Sequence, residues 1–241
     1  MEMKMKTGFI LYIDLLGYKD MLNKHTPQDD ERMQDILNQF TQTFSKINFP
    51  LYFGDSYDKS KLFKKFFSDN FLFLYESGEN NFKNLTNFQG AASHIQYQFL
   101  KVGILTRGAI TYGTLYYNDD IVYGLDLIKA VEMEGDHQEP SVVVDERFKT
   151  LVENHNIEFM NTIKLFSTHA DSKPDFDDCV AGIKKYLEYL NKSNADERVL
   201  AKIKWVIDQL NDYFGKEQKT YYELKGETKY SLVEKKEGEI Q

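Results

Sequence analysis

Residues 8–16, GFILYIDLL, form an unbroken run of apolar, strand-forming side chains interrupted once, by Asp14. A run with no polar alternation belongs to a strand covered on both faces. It therefore predicts a central strand in a sheet layered with helices. A carboxylate in such a strand is costly unless it is paired, hydrogen-bonded or bound to a metal. Asp14 thus marks either a helix cap at the strand's end or a place where the strand meets chemistry.

The rest of the chain supplies the layers. A helical pattern with Tyr18, Met21 and Leu22 follows Gly17 and breaks at Thr26-Pro27. Met33, Ile36, Leu37, Phe40 and Phe44 recur at helical spacing and predict an amphipathic helix over 29–46. Residues 47–61 read as an irregular insertion. Residues 62–76, LFKKFFSDNFLFLYE, read as two strands about a Ser68-Asp69-Asn70 turn. A helix over 83–102 leads into a strand over 102–113, and 115–122 adds a short hairpin across Asn118-Asp119-Asp120. Beyond these come a helix over 125–134, a strand over 141–144, a helix near 146–154 and a strand over 157–166. A polar loop spans 167–178. Helices over 179–191 and 196–214 precede a hairpin and charged end within 219–241. The simplest partition is an α/β domain over 1–170 with a helical extension over 171–241 in the same globule.

Composition removes several functions. A hydrophobic share of 41% supports a core, which sets disorder aside for the body of the chain. The net charge of −8 argues against general nucleic-acid coating, which needs a basic face. A single cysteine, Cys179, excludes an internal disulfide framework and every multi-cysteine zinc site, and predicts a small core residue. No apolar run approaches a membrane span and the N-terminus makes a poor secretory signal, so the expected setting is cytoplasmic.

Three residues stand out as candidates for chemistry. Asp14 and Asp69 are carboxylates in apolar surroundings at the ends of predicted strands, a pattern that can hold hard divalent cations. Asp69 can equally be a turn residue bonding local backbone. Arg107, in GILTRGAITYG, either contacts phosphate or structures a site, or else pairs with an acidic residue or points to solvent from an edge strand. Gly17 permits close backbone approach before a helix N-terminus, the elements of a phosphate cradle, though no P-loop is present. The five histidines show no zinc-binding spacing.

Four segments in order carry a resemblance: YIDLLGY at 12–18, FSDN at 67–70, LTRGAITYG at 105–113 and VYGLDLIKAVEME at 122–134. Over about residues 8–145 the chain resembles the class III nucleotidyl cyclase domain. More narrowly, it is similar to the bacterial pyrimidine cyclases of the Pycsar anti-phage systems. The resemblance implies a ferredoxin-like palm core: a mixed α/β (α+β) sheet flanked by helices, here with a helical C-terminal addition. It implies conversion of UTP or CTP to the 3′,5′-cyclic monophosphate and pyrophosphate, as a messenger in anti-phage defence. Asp14, Asp69 and the Leu15 carbonyl would hold two Mg²⁺ or Mn²⁺ ions. Leu16, Gly17 and Tyr18 would meet the phosphates through backbone N–H groups. Arg107 would meet transition-state charge, Lys65 the phosphate or base, and Tyr57 or Tyr52 the pyrimidine. Partners implied are a head-to-tail second copy and a separate cyclic-nucleotide-responsive effector protein, with no membrane.

The chain departs from the familiar purine cyclases. The places of their helical Asn and Arg hold Ile128 and Glu132, and Ile121 stands where adenylate cyclases use an Asp to read adenine. Where many Pycsar-type cyclases have Pro-Arg, this chain has Pro140-Ser141. Other readings stay open: a degenerate cyclase fold serving as nucleotide sensor or scaffold, a palm-fold polymerase, and an unrelated interaction module.

Overall fold

The computed structural model describes residues 3–17, 38, 41–45, 52–156, 162–163, 175–191, 197–226 and 229–236. The predicted helical start at Tyr18, most of the 29–46 helix and most of the loop over 167–178 lie outside these residues.

Strand β1 (Lys4–Leu16) runs through the middle of the sheet. It pairs antiparallel with β3 (Asn70–Glu76) on one side and with β4 (Leu105–Tyr117) on the other. Strand β2 (Leu62–Phe67) forms a hairpin with β3. The order β2-β3-β1-β4, antiparallel throughout, is that of the split βαβ, ferredoxin-like arrangement. A short β5 (Val122–Tyr123) folds back on β4. Strand β6 (Val142–Val144) adds parallel to β4, which makes the sheet mixed, and β7 (Thr162–Ile163) adds antiparallel to β6. The expected α/β architecture is what the chain forms.

The two faces of β1 explain its composition. Phe9, Leu11, Ile13 and Leu15, with Phe71, Phe73 and Tyr75 of β3, pack under helix α1 (Phe82–Lys101). That helix places Leu85, Phe88, Ala92, Ile95 and Phe99 on its buried stripe, and its N-cap Asn81 accepts a hydrogen bond from the Asn84 N–H. Phe44, in the helical residues 41–45, packs on the same side. The opposite face of β1 carries Ile10, Tyr12 and Asp14. Helix α2 (Leu125–Asp136) covers it, with Leu127, Ala130 and Met133 against Tyr12 and Ala109.

A 3₁₀ turn at Glu146–Phe148 and α3 (Lys149–Glu153) follow β6. Helices α4 (Phe176–Leu190) and α5 (Glu197–Gln218) and the hairpin of β8 (Thr220–Lys225) and β9 (Ser231–Lys236) build a second apolar cluster. This cluster includes Leu16, Tyr97, Leu100 and Leu105, so it grows directly from the ends of β1, α1 and β4. Close approach is made through Gly182: a Cβ there would lie 1.9 Å from the Leu100 carbonyl oxygen. Cys179 is buried in the same cluster, as a core residue.

Several boundaries differ from expectation. The first strand begins at Lys4 rather than 8, and β4 runs on to Tyr117 because its extension pairs with both β1 and β5. Helix α4 starts at Phe176, where Asp175 accepts from the Asp178 N–H and caps it. Of the strand expected over 157–166, Thr162–Ile163 is described.

Candidate active site

Asp14, Asn70 and Arg107 are direct neighbours across three strands: Asp14 pairs with Asn70 on β3 and with Arg107 on β4. Opposed residues in antiparallel strands share a face, so all three side chains project toward α2. Asp69 sits beside them in the β2–β3 turn, whose left-handed Ser68 (φ 57°) reverses the chain tightly. The Leu15 N–H donates to the Asp69 carbonyl at 3.0 Å, which pins the turn to the end of β1. In a strand the N–H and C=O of one residue point the same way, so the Leu15 carbonyl also faces the hairpin. The structure thus brings Asp14, Leu15 and Asp69 together.

Three residues not singled out from the sequence position these groups. The Asn70 amide donates to Asp69 Oδ1 at 2.9 Å, and its carbonyl oxygen accepts from the Tyr12 hydroxyl. This relay orients the Asp69 carboxylate. The third is Glu134, a buried glutamate on α2 that pairs with Arg107 Nε. Arg107 also donates through Nη1 to the His137 carbonyl at 2.9 Å, and Nη2 lies 4.0 Å from Asp14 Oδ2. Of the readings of Arg107, the acidic pairing is present. The arginine ties the C-terminal end of α2 to the strand that faces Asp14.

Three carboxylates therefore crowd one partly desolvated place. Burial first, then the charges of Glu134 and Asp69, push the Asp14 carboxyl up to about 6; Arg107 and Lys202 oppose the shift. Burial also raises Glu134, against the pull of Arg107 and Lys202. The Tyr12 phenol is raised as well, by burial and by the same carboxylates. A place that resists negative charge this way suits a bound cation. Among the described residues, no three His, Cys, Asp or Glu side chains are grouped closely enough to ligate one ion. Glu134 acts on Asp14 through its field and does not join it as a ligand. The donors on hand are two carboxylates and a backbone oxygen. They fit Mg²⁺ or Mn²⁺, which take hard oxygen ligands and commonly complete their shells with waters and substrate phosphates.

The other expected residues scatter. Leu16 is buried in the second cluster and pairs with Leu105. Gly17 adopts φ +82°, a left-handed turn open to solvent on its Cβ side, which a glycine makes without strain. Tyr18 lies outside the described residues. Lys65 shares the Asp14 face but stands on the outermost strand, where its Nζ donates to the Asp119 carbonyl at 2.8 Å. It is not in the cluster. Tyr57 corrects the expectation of a base-reading ring near the aspartates. Its ring packs against Phe53 and Tyr75 on the α1 face. Tyr75 is five residues along β3 from Asn70, roughly 17 Å at strand rise. Tyr52 packs against His94 in the same layer. Ile128 and Glu132 are exposed on α2, turned away from the face that Glu134 occupies.

Lys202 on α5 reaches this site electrostatically, and no local pattern announces it. Glu134 had a faint signal: it falls on the stripe of Leu127 and Ala130, where a charge must be buried.

No protein-family model matches the chain, and no curated protein sequence matches it. Several solved structures are similar. The catalytic core of a rhodopsin-guanylyl cyclase with converted specificity, in complex with ATPαS, aligns over 64% of this chain and 84% of its own, at 10% identity and a TM-score of 0.43. An adenylate/guanylate cyclase/hydrolase from Silicibacter pomeroyi aligns over 72% of this chain and 95% of its own, at 14% identity and a TM-score of 0.45. A class III adenylyl cyclase-like ATP-binding protein from Pseudomonas aeruginosa aligns over 75% of this chain and 41% of its own, at 14% identity and a TM-score of 0.46.

Proposed function

We propose that this chain is a metal-dependent nucleotidyl cyclase that converts UTP or CTP to the 3′,5′-cyclic monophosphate and pyrophosphate, as a messenger in anti-phage defence. One observation carries the reading. Asp14 and Asp69 are held side by side at a strand end, where burial, then the charges of Glu134 and Asp69, raise the Asp14 carboxyl to about 6. A fold keeps such a pair at a cost to stability, and a divalent cation relieves it.

Asp14, Asp69 and the Leu15 carbonyl hold Mg²⁺ or Mn²⁺ in this reading. Bound there, the ions would acidify the ribose 3′-hydroxyl and neutralise the departing pyrophosphate. Tyr12 and Asn70 keep Asp69 aimed at the shared space. The left-handed Gly17 turn leaves room for a phosphate beside the end of β1. In this reading Arg107, 4.0 Å from Asp14 and paired with Glu134, meets transition-state charge. With Ile121 and Ile128 in place of polar residues, purine selection by the familiar route has no donor, which favours a smaller base.

The reading includes a second copy of the chain. Ile121, Tyr123, Leu125, Ile128 and Val131 are all exposed, Leu125 at 72%, and they line one side of α2 and the hairpin before it. A group of exposed apolar side chains of that kind suits self-association. A separate effector that senses the product completes the reading, and the setting is the cytoplasm. No helix among the described residues is long and apolar enough to cross a membrane.

The test is incubation of purified protein with Mn²⁺ and each of the four nucleoside triphosphates, with products identified by mass. One pyrimidine triphosphate should yield a cyclic monophosphate. Asp14→Ala and Asp69→Ala should each lower the rate about 1000-fold or more while the chain stays folded, the scale expected when metal-ligated charge stabilisation is lost. Four intact triphosphates, or full activity in either variant, sink the reading.

A further inference from the structure

Arg107 is held by two anchors that belong to one end of helix α2. Its Nε forms an ion pair with Glu134, in the last turn of the helix. Its Nη1 donates to the carbonyl of His137, the residue that ends the helix, at 2.9 Å. Glu134 Oε1 and Arg107 Nε are both shut off from water. The second anchor is itself pinned. The His137 Nε2 lies 2.5 Å from the Ser141 hydroxyl, and the carbonyl of the fully buried Ser141 accepts the N–H of Gly108, next to Arg107. Leu127, Ala130 and Met133 seat the helix on the sheet.

A guanidinium is planar and carries five N–H donors in a rigid fork. Contacts at Nε and Nη1 fix that plane and leave Nη2 as its outward edge. Nη2 makes no hydrogen bond among the described residues. It lies 4.0 Å from Asp14 Oδ2, beyond hydrogen-bond reach. A buried ion pair adds little stability, because withdrawing both charges from water costs about as much as their attraction returns. Stability alone is thus a weak reason for Glu134, whose side chain is 7% exposed. What the glutamate supplies is direction: it turns a flexible side chain into one with a single aimed edge.

We infer that Glu134 is a positioning residue that, with the His137 carbonyl, aims the Nη2 edge of Arg107 into the space beside Asp14, where that edge meets the charge developing on the α-phosphate. This rests on the reading of the site as a cyclase site. It adds a role in turnover for Glu134, exerted through Arg107 alone. Two competing roles exist for a buried glutamate on an arginine. A brake would hold Arg107 away from the substrate, and a structural group would only fasten α2 to the sheet. The three roles differ in the sign of the effect and in whether it needs Arg107.

The experiment uses the full chain with Mn²⁺ and the triphosphate that it turns over. Product formation gives kcat and KM, calorimetry gives affinity for the α,β-methylene analogue, which binds without cyclising, and thermal melts report folding. Glu134→Ala should lower kcat about 100-fold, the scale of a misaimed catalytic group, while KM and analogue affinity stay within about threefold. Glu134→Gln keeps an oxygen for Nε and should stay within about tenfold of the wild type. Glu134→Met fills the same space without an acceptor, so it repeats the Ala result if the Ala variant folds poorly. In an Arg107→Ala background no guanidinium remains to be aimed, and the same Ala or Met change should cost less than about twofold more. A raised kcat in folded Glu134→Ala or Glu134→Met marks a brake and overturns this inference alone. So does an unchanged kcat, or a Gln variant no better than the Met variant. A loss that persists undiminished without Arg107 marks a structural role and overturns it too. A wild-type chain that turns over none of the four triphosphates overturns the cyclase reading itself, and the inference with it.

Discussion

Helix α2 packs near two aspartates, one buried and one half-buried, that have met opposite fates. Asp145, just after β6, is almost wholly withdrawn from water, and the fold has answered its charge completely. Its Oδ2 meets Lys129 Nζ at 2.6 Å and Arg147 Nε at 2.8 Å, while its Oδ1 accepts from the Arg147 N–H at 3.2 Å. Asp14, at the end of β1, is more exposed yet worse served. Among the described residues, its nearest ion-pair partner is 4.0 Å away, and that arginine is pulled toward Glu134. Both are aspartates near the end of a strand. The difference teaches where the fold spends charge on holding itself together and where it leaves charge unanswered. Asp145 joins β6 to α2 and to the 3₁₀ turn that it caps. On the proposed reading, Asp14 is left for a bound cation to satisfy.

The largest effect that can break this contrast is on stability. Asp145→Ala should destabilise the chain by about 3 kcal/mol, since removing one partner of a buried ion pair strands the others and also removes a cap. Asp14→Ala should not lower the melting temperature in metal-free buffer. Thermal or urea unfolding of the two variants checks both at once. An unaffected Asp145→Ala with a collapsed Asp14→Ala would reverse the assignment of structural and functional roles.

How much of this was readable in advance follows the same division. Asp14 was legible because one carboxylate in an apolar run is a local anomaly, and Asp69 because a turn in FFSDNFLFL leaves it few other places. The central strand, the hairpin, α1 and the two C-terminal helices were legible from periodicity. Glu134 was not, because a glutamate in an amphipathic helix reads as solvent-facing unless the partner across the sheet, Arg107, is known. Tyr57 was misplaced because an aromatic in an insertion carries no sign of which sheet face it will cover. The reach of Lys202 to Asp14 depends on the C-terminal helices docking on Leu16 and Leu105, a contact between distant segments that no local pattern encodes.

A smaller effect sharpens the contrast by putting a pH window on it. The Asp14 carboxyl is raised from 3.8 to about 6 in the folded chain. Between those values the native state holds a proton that the unfolded chain has released. Stability therefore falls as pH rises through that window, and the penalty is complete above it. Asp14→Asn removes the ionisable group and keeps the shape, so it should stabilise metal-free protein by about 2 kcal/mol at pH 7, allowing for residual solvent screening. The gain should shrink toward zero as pH falls to about 4, where the native state is protonated and the unfolded chain is about half so. Added Mn²⁺ should close the gap at pH 7 by stabilising the wild type alone, because a ligand that binds only the native state raises its stability. Melting curves of the two proteins from pH 4 to 8, with and without Mn²⁺, read all three outcomes. A gap that is flat with pH, or that Mn²⁺ leaves open, would mean that the charge of Asp14 is answered within the fold after all, as that of Asp145 is.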